Sequence, residues 1–188
     1  TFEQLRESFG GKVALVQYPV NAGTNFDAVV DLLKMKMYRW KPEGGQPEEL
    51  DIPEAEKAKA AELHAALVEA AAENDEKLME KFFDQGSLPE EDIFVGIHKG
   101  LIDCGIYPVL CLCGGKSMGV RRFMDFLCAV APSPAEMHVP VTTTGKEVKP
   151  DPAGPTSLFF FKTSIEPHIG EVLYYKVMSG KIKSGDDM

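Results

Sequence analysis

The chain lacks any run of the roughly 18 uninterrupted apolar residues that a membrane helix needs, so a helical membrane span is excluded. Cysteine is scarce, four residues in 188, and no two of them form a C-x-x-C pair. Cys111-x-Cys113 is the wrong spacing for a zinc knuckle. Cys104, Cys111, Cys113 and Cys128 all have apolar sequence neighbours, which predicts buried, reduced thiols in a cytoplasmic protein. His64, His98, His138 and His168 lie on separate segments without an i, i+4 partner, so spacing predicts no metal site. The first ten residues carry Glu3, Arg6 and Glu7 and no apolar run, unlike a signal peptide. The chain opens on Thr1 rather than Met, and an excised piece of a longer protein is the expectation.

Positive charge is also short, and unevenly so. Net charge is −9; residues 41–92 hold sixteen acids and five bases, and the remainder carries +2. Phosphate backbones repel such an acidic block. It reads as a solvated face or as a surface that meets a protein partner. With 188 residues, 44% of them hydrophobic, the chain suffices for one ordinary domain or two small pieces.

Residues 1–9 read as the end of a helix, with Phe2, Leu5 and Phe9 on one face and Gly10-Gly11 as its stop. Residues 12–20 read as a strand and 21–25 as a turn. The stretch 26–40 fits helix or strand, and alternation from Leu33 onward favours a strand. Residues 42–47 break the pattern, and 48–52 form a short return strand. From 54 to about 83 the composition is Ala, Glu, Lys and Leu, the best helix formers. Asn74-Asp75 marks a break there, Asp75 caps a second helix and Gly86-Ser87 ends it. Another helix opens at Pro89, with Ile93, Ile97 and Leu101 on its inner face. Residues 106–113 are nearly all apolar, the pattern of a strand buried on both faces. A glycine loop follows, then a helix over 119–131 with Val120, Phe123, Met124, Leu127 and Val130 inside. Strand, loop, helix is an α/β arrangement. Beyond Pro132-Ser133-Pro134, short strands at 158–161 and 172–177 suggest the start of a β-barrel, too few to close it.

Gly115-Lys116-Ser117 after a buried strand invites a P-loop assignment. That motif needs G-x-x-x-x-G-K-[ST], and the position of its first glycine falls on Leu110. The loop is too short by pattern to cradle a β-phosphate. A tight strand-to-helix turn that needs glycines is the plain alternative.

The flanks carry more. Pro108-Val109-Leu110-Cys111, then Lys116-Ser117-Met118-Gly119-Val120, the helix over 123–130 and Pro132-Ser133-Pro134 resemble elongation factor G. So do Gln17-Tyr18-Pro19-Val20, the stretch 26–40, the run 69–81 with its Glu73-Asn74-Asp75-Glu76, and Asp151-Pro152-x-Gly154-Pro155 onward. The resemblance covers essentially the whole chain.

It implies an α/β, or α+β, organisation. Residues 1–11 and 106–132 would be a remnant of a GTP-binding domain, and 12–105 an inserted α+β subdomain. Residues 133–188 would begin the β-barrel second domain. It implies a translational GTPase that binds GTP and Mg²⁺ and drives tRNA and mRNA through the ribosome, meeting rRNA and the stalk protein. The family's guanine loop, S-A-[LF], falls on Cys113, Gly114 and Gly115, where backbone N–H groups would meet the guanine oxygen. The Ser and Ala of that motif are absent here. The chain holds no P-loop, no N-K-x-D and no D-x-x-G serving a γ-phosphate and Mg²⁺, so these residues alone are expected to be inactive and to bind no cofactor. A divergent ribosome-binding paralogue with weakened GTPase activity, a ribosomal-protection GTPase and a release-factor GTPase are the competing readings. Exposed strand edges make a dimer of the piece a further expectation. Arg121 and Arg122 are candidates to meet RNA, a partner or the acidic block. Trp40, the single tryptophan, is expected against the helix pair that follows it.

Overall fold

The structure, a computed structural model, describes residues 2–187. It divides into a first unit that ends at Ala131 and a second that begins at Pro132. In the first unit the chain coils into α1 (Phe2–Phe9) and leaves the helix at Gly10, whose φ of 71° suits glycine. The one strand expected over 12–20 is in fact two, β1 (Val13–Leu15) and β2 (Gln17–Pro19), which belong to different sheets. Val16, 1% exposed, is the point of transfer. Its N–H donates to the Val109 carbonyl at 2.9 Å, and its own carbonyl accepts from Leu32 N at 2.9 Å. Both sheets bury residues there, and the only break in the apolar run is Gln17, the first residue of β2.

The ambiguous stretch 26–40 resolves as strand, turn, strand: β3 (Ala28–Asp31) and β4 (Lys36–Lys41). Every residue of β3 is buried, because Ala28 and Val30 join the main core while Val29 joins a second cluster on the other face. A strand covered on both faces loses its alternation. The break expected over 42–47 is shorter, since β5 (Gly44–Leu50) already begins at Gly44. Pro42 and Glu43 make the β4–β5 turn, and Gly44 and Gly45, at φ 82° and 95°, open β5. Strands β2, β3, β4 and β5 lie side by side, each antiparallel to the next.

Three helices follow: α2 (Glu54–Ala72), α3 (Glu76–Gln85) and α4 (Glu90–Ile102). The Asp75 carboxylate accepts from Leu78 N at 3.0 Å and caps α3, and Gly86 ends it in the left-handed region at φ 73°. Helices α2 and α4 cross so closely that a β-carbon on Gly96 would lie 2.3 Å from the Ala71 carbonyl oxygen. The strand expected over 106–113 shrinks to β6 (Tyr107–Val109), which pairs in parallel with β1 alone. Tyr107 is exposed and Pro108 and Val109 are half-buried, so the run is not covered on both faces. The last helix of this unit is α5 (Val120–Val130). It buries Phe126 and Val130, whereas Met124, expected inside, is 52% exposed. Leu67, Val68, Ile93, Ile97, Ile106 and Val130 pack with Val16 and Val30 into one core.

Two cysteines also depart from expectation: Cys104 and Cys128 are exposed, and Cys111 and Cys113 are half-buried. In the second unit β7 (Ser157–Glu166) and β8 (Gly170–Ser179) form an antiparallel hairpin, longer than the strands expected there. Phe159, Phe160 and Phe161 are exposed on it, and among the described residues no barrel closes. Asp151-Pro152-Ala153-Gly154 has the bare D-x-x-G form, which the sequence reading passed over. The fold uses it locally: Asp151 Oδ1 accepts from Ala153 N, and its carbonyl accepts from Gly154 N and Gly180 N. The chain is thus a mixed α/β protein.

Two expectations follow from this packing. Gly96→Ala must push α4 off α2 and should lower stability by about 2–3 kcal/mol in urea titration. Asp75 is held below the usual carboxylate range, first by its bond from Lys99 and then by the Leu78 N–H. A depressed carboxylate stabilises the fold above its unfolded value and loses that contribution on acidification. The stability gap between wild type and Asp75→Asn should therefore be complete at neutral pH and shrink as pH falls below about 4.

Candidate functional site

Residues 110–119 lead from β6 to α5. Cys113 N donates to Met118 O at 2.9 Å and Met118 N donates to Cys113 O at 3.1 Å, so the loop is pinched shut across four residues. Inside the pinch Gly114–Lys116 make one 3-10 turn. Lys116 N donates to Cys113 O and Ser117 N to Gly114 O. The amides that open such a turn have no partner within it, and here those belong to Gly114 and Gly115. Leu110 lies just past the end of β6.

The glycines that backbone geometry demands are not those two. Neither Gly114 nor Gly115 is in the left-handed region, and a β-carbon on either would meet nothing within 4 Å. Ser117 takes φ 54° and Gly119 takes φ 78°. A side chain at Gly119 would approach the Cys111 carbonyl oxygen to 2.9 Å. A tight strand-to-helix turn that needs glycine is what forms, and the glycine it needs is Gly119.

Met118 anchors the loop from below. It is 1% exposed and packs with Val29, Tyr38 and Trp40, against which Cys111 and Cys113 also lie. Trp40 therefore does not pack on α2 and α3; Phe26 stacks on it at 6.5 Å between ring centroids. The Cys111 thiol, near the Gln17 carbonyl at 3.6 Å, is pushed up from its ordinary pKa by burial and is a poor nucleophile.

Helix α5 is held to the sheet by its second arginine. Arg122 Nη2 donates to Asp31 Oδ2 at 2.6 Å, and its guanidinium carbon stands 3.4 Å from the centre of the Tyr38 ring. The same Asp31 oxygen accepts from Gln17 Nε2 at 3.1 Å, while Oδ1 accepts from Leu33 N and Lys34 N, each at 3.0 Å. Tyr38 in turn donates to Glu49 Oε2 at 3.1 Å, and its hydroxyl is pushed up from the usual phenol pKa chiefly by burial. Arg122 Nε is the one buried side-chain N or O without a hydrogen-bond partner among the described residues. Arg121 faces solvent, 4.0 Å from Asp125. Of the two arginines offered to RNA or a partner, Arg122 is thus engaged inside the fold.

A cavity of about 340 Å³ opens beside this pair, lined by Gln17, Asp31, Phe94, Arg122, Phe126 and Ala129 among others. None of Cys113, Gly114 or Gly115 lines it. No group of three potential ligands able to hold a metal occurs among the described residues. His64 and His98 each place Nδ1 on a backbone carbonyl, of Leu32 and Val130. A carbonyl only accepts, so both rings donate there. No described helix is long and apolar enough to cross a membrane. Sequence reasoning missed Asp31, Tyr38 and Met118; the one signal for Asp31 was an acid inside the apolar run Val29-Val30-Asp31-Leu32-Leu33.

No family model matches the chain. A crystal structure of a protein from Thermus thermophilus matches 98% of this chain with a TM-score of 0.70 and 25% identity. The chain spans 26% of that protein's length. The likeness is one of fold.

Truncating Arg122 to Ala leaves a buried carboxylate short of its charged partner and should cost about 3 kcal/mol in thermal or urea unfolding. Arg121→Ala should change stability by no more than about 0.5 kcal/mol.

Proposed function

We propose that the chain is a segment of an elongation factor G-like translational GTPase. It would carry a subdomain inserted in the GTP-binding domain, the end of that domain and the beginning of a β-barrel second domain. The observation that carries the reading is the placement of the 113–118 loop. It follows β6, a parallel strand, after residues 110–112 and leads into α5, with the opening amides of its turn unshielded by any side chain at 114 or 115. Guanine recognition through backbone N–H groups needs that arrangement. In the intact protein Gly114, and with less weight Cys113 and Gly115, would meet the guanine ring. GTP and Mg²⁺ would be its cofactors, and rRNA and the stalk protein of the ribosome its partners in the cytoplasm.

The parallel pair β1 and β6 supports the same reading. It is a two-stranded remnant with apolar residues left uncovered on it and around it: Tyr107 on β6, Leu112 beyond its end, and Leu5 and Phe9 on α1. Parallel strands are ordinarily buried in larger sheets. Hairpin β7–β8, with exposed aromatic residues along it, is what an opening stretch of barrel would present. Uncovered edges of this kind would also favour dimerisation of the isolated piece.

A second reading keeps the ribosome and drops the hydrolysis. Cys113-Gly114-Gly115 stands where the family has Ser and Ala, and a β-carbon on either glycine would meet nothing within 4 Å. Such a loop is less pre-organised for guanine. A divergent ribosome-binding paralogue would tolerate that loss.

The test is on the full-length product of the reading frame. The first proposal expects an intact P-loop, D-x-x-G and N-K-x-D upstream, and GTP hydrolysis stimulated by ribosomes. Ribosome binding that needs no GTP supports the paralogue; neither activity refutes both. For the 188 residues alone, calorimetry should detect no GTP binding in the micromolar range, because the groups that hold phosphate and Mg²⁺ are elsewhere.

A further inference from the structure

The tip of the β4–β5 hairpin comes to rest on the 113–118 loop. Gly44 is buried at that tip, and a β-carbon there would lie 2.3 Å from the Lys116 carbonyl oxygen and 3.5 Å from its carbon. Those are backbone atoms, so nothing flexible yields. Neighbouring Gly45 has a similar left-handed φ, 95° against 82°, yet a β-carbon on it would meet nothing within 4 Å. The contact is therefore specific to the first residue of β5. It lies at the end of the strand that carries Tyr38 and Trp40, the two rings beneath Met118. The loop is thus held from two sides by one element: its Lys116 backbone by the hairpin tip, and its Met118 side chain by the hairpin's first strand.

We propose that the β4–β5 hairpin is the positioning element of the 113–118 loop and that Gly44 is its positioning residue. The amides of Gly114 and Gly115 are aimed by a hairpin about seventy residues away in the chain, and displacing the hairpin releases the loop while the helical core stays folded. The interest of the loop rests on the guanine reading above; the mechanical link does not, and none of the measurements below uses a nucleotide. Failure to bind GTP would leave this proposal intact, and loss of the link would leave the guanine reading intact.

Gly44→Ala and Gly45→Ala impose the same left-handed strain on alanine, and only the first also meets the Lys116 backbone. Amide hydrogen exchange on the 188-residue chain separates the two. Gly44→Ala should speed exchange of the Cys113 and Met118 amides about tenfold or more, with less than about a twofold change at Leu67 and Ile97, as expected for local opening. Trp40, 4% exposed and the only tryptophan, should shift its emission to the red. Gly45→Ala should leave the loop amides and Trp40 emission at their wild-type values. Trp40→Phe thins the packing under Met118 without a backbone clash; it should loosen the same two amides, and it decides the matter if Gly44→Ala does not fold. Equal effects of the two glycine substitutions, loosening of the core in step with the loop, or unchanged loop exchange in Trp40→Phe would overturn the proposal.

Discussion

The carboxylate of Asp31 is the point on which the first unit turns. It is buried, and its two oxygens take four hydrogen bonds: from Gln17 on β2, from Leu33 N and Lys34 N in the turn after β3, and from Arg122 on α5. A buried carboxylate is tolerated only when it is so surrounded. One side chain thereby ends a strand, shapes a turn, ties down the neighbouring strand and docks the helix that leaves the candidate loop. Arg122 answers in kind, with one face on Tyr38 and one edge on Asp31. The loop before α5 can be well placed only if α5 is, and α5 takes its place from this pair.

Val16 is the second constraint. By giving its N–H to one sheet and its carbonyl to the other, it joins the parallel pair β1 and β6 to the antiparallel meander without a loop between them. The meander is then buried on both faces around β3, which explains why Ala28, Val29, Val30 and Leu32 are all close to fully buried. One face meets the helices α2 and α4, and the other meets Met118 and the cysteines of the loop. The sheet separates the helical core from the candidate site and supports both.

Much of this was legible in residues. The helices over 54–85, their break at Asn74-Asp75, the Asp75 cap and the Gly86 stop are local devices, each written within four or five positions. Ile93 and Ile97 fell on the inner face by helical period alone. Legibility failed where one pattern served two environments. Residues 12–20 and 106–113 look mostly apolar whether they lie in one sheet, two, or partly at an exposed edge. Tyr107 is exposed because β6 has a single parallel neighbour, a fact about what is paired with it and not about its own composition. Glycine misled for a related reason. Gly114-Gly115 drew attention as a pair, but the left-handed positions are Ser117 and Gly119.

By itself the sequence determined the helices, the Asp75 cap and the Gly86 stop, the absence of a long apolar span and the position of a loop between a strand and α5. Those properties depend on periods of two and 3.6 residues and on capping side chains, all within one turn of chain. The tertiary structure alone decided that Asp31 meets Arg122 across ninety-one positions, that Val16 divides one run between two sheets, and that Trp40 lies under Met118 instead of against the helices. Such pairings are chosen by burial and by the demand that buried polar groups find partners, and neither condition exists until distant segments have been brought together.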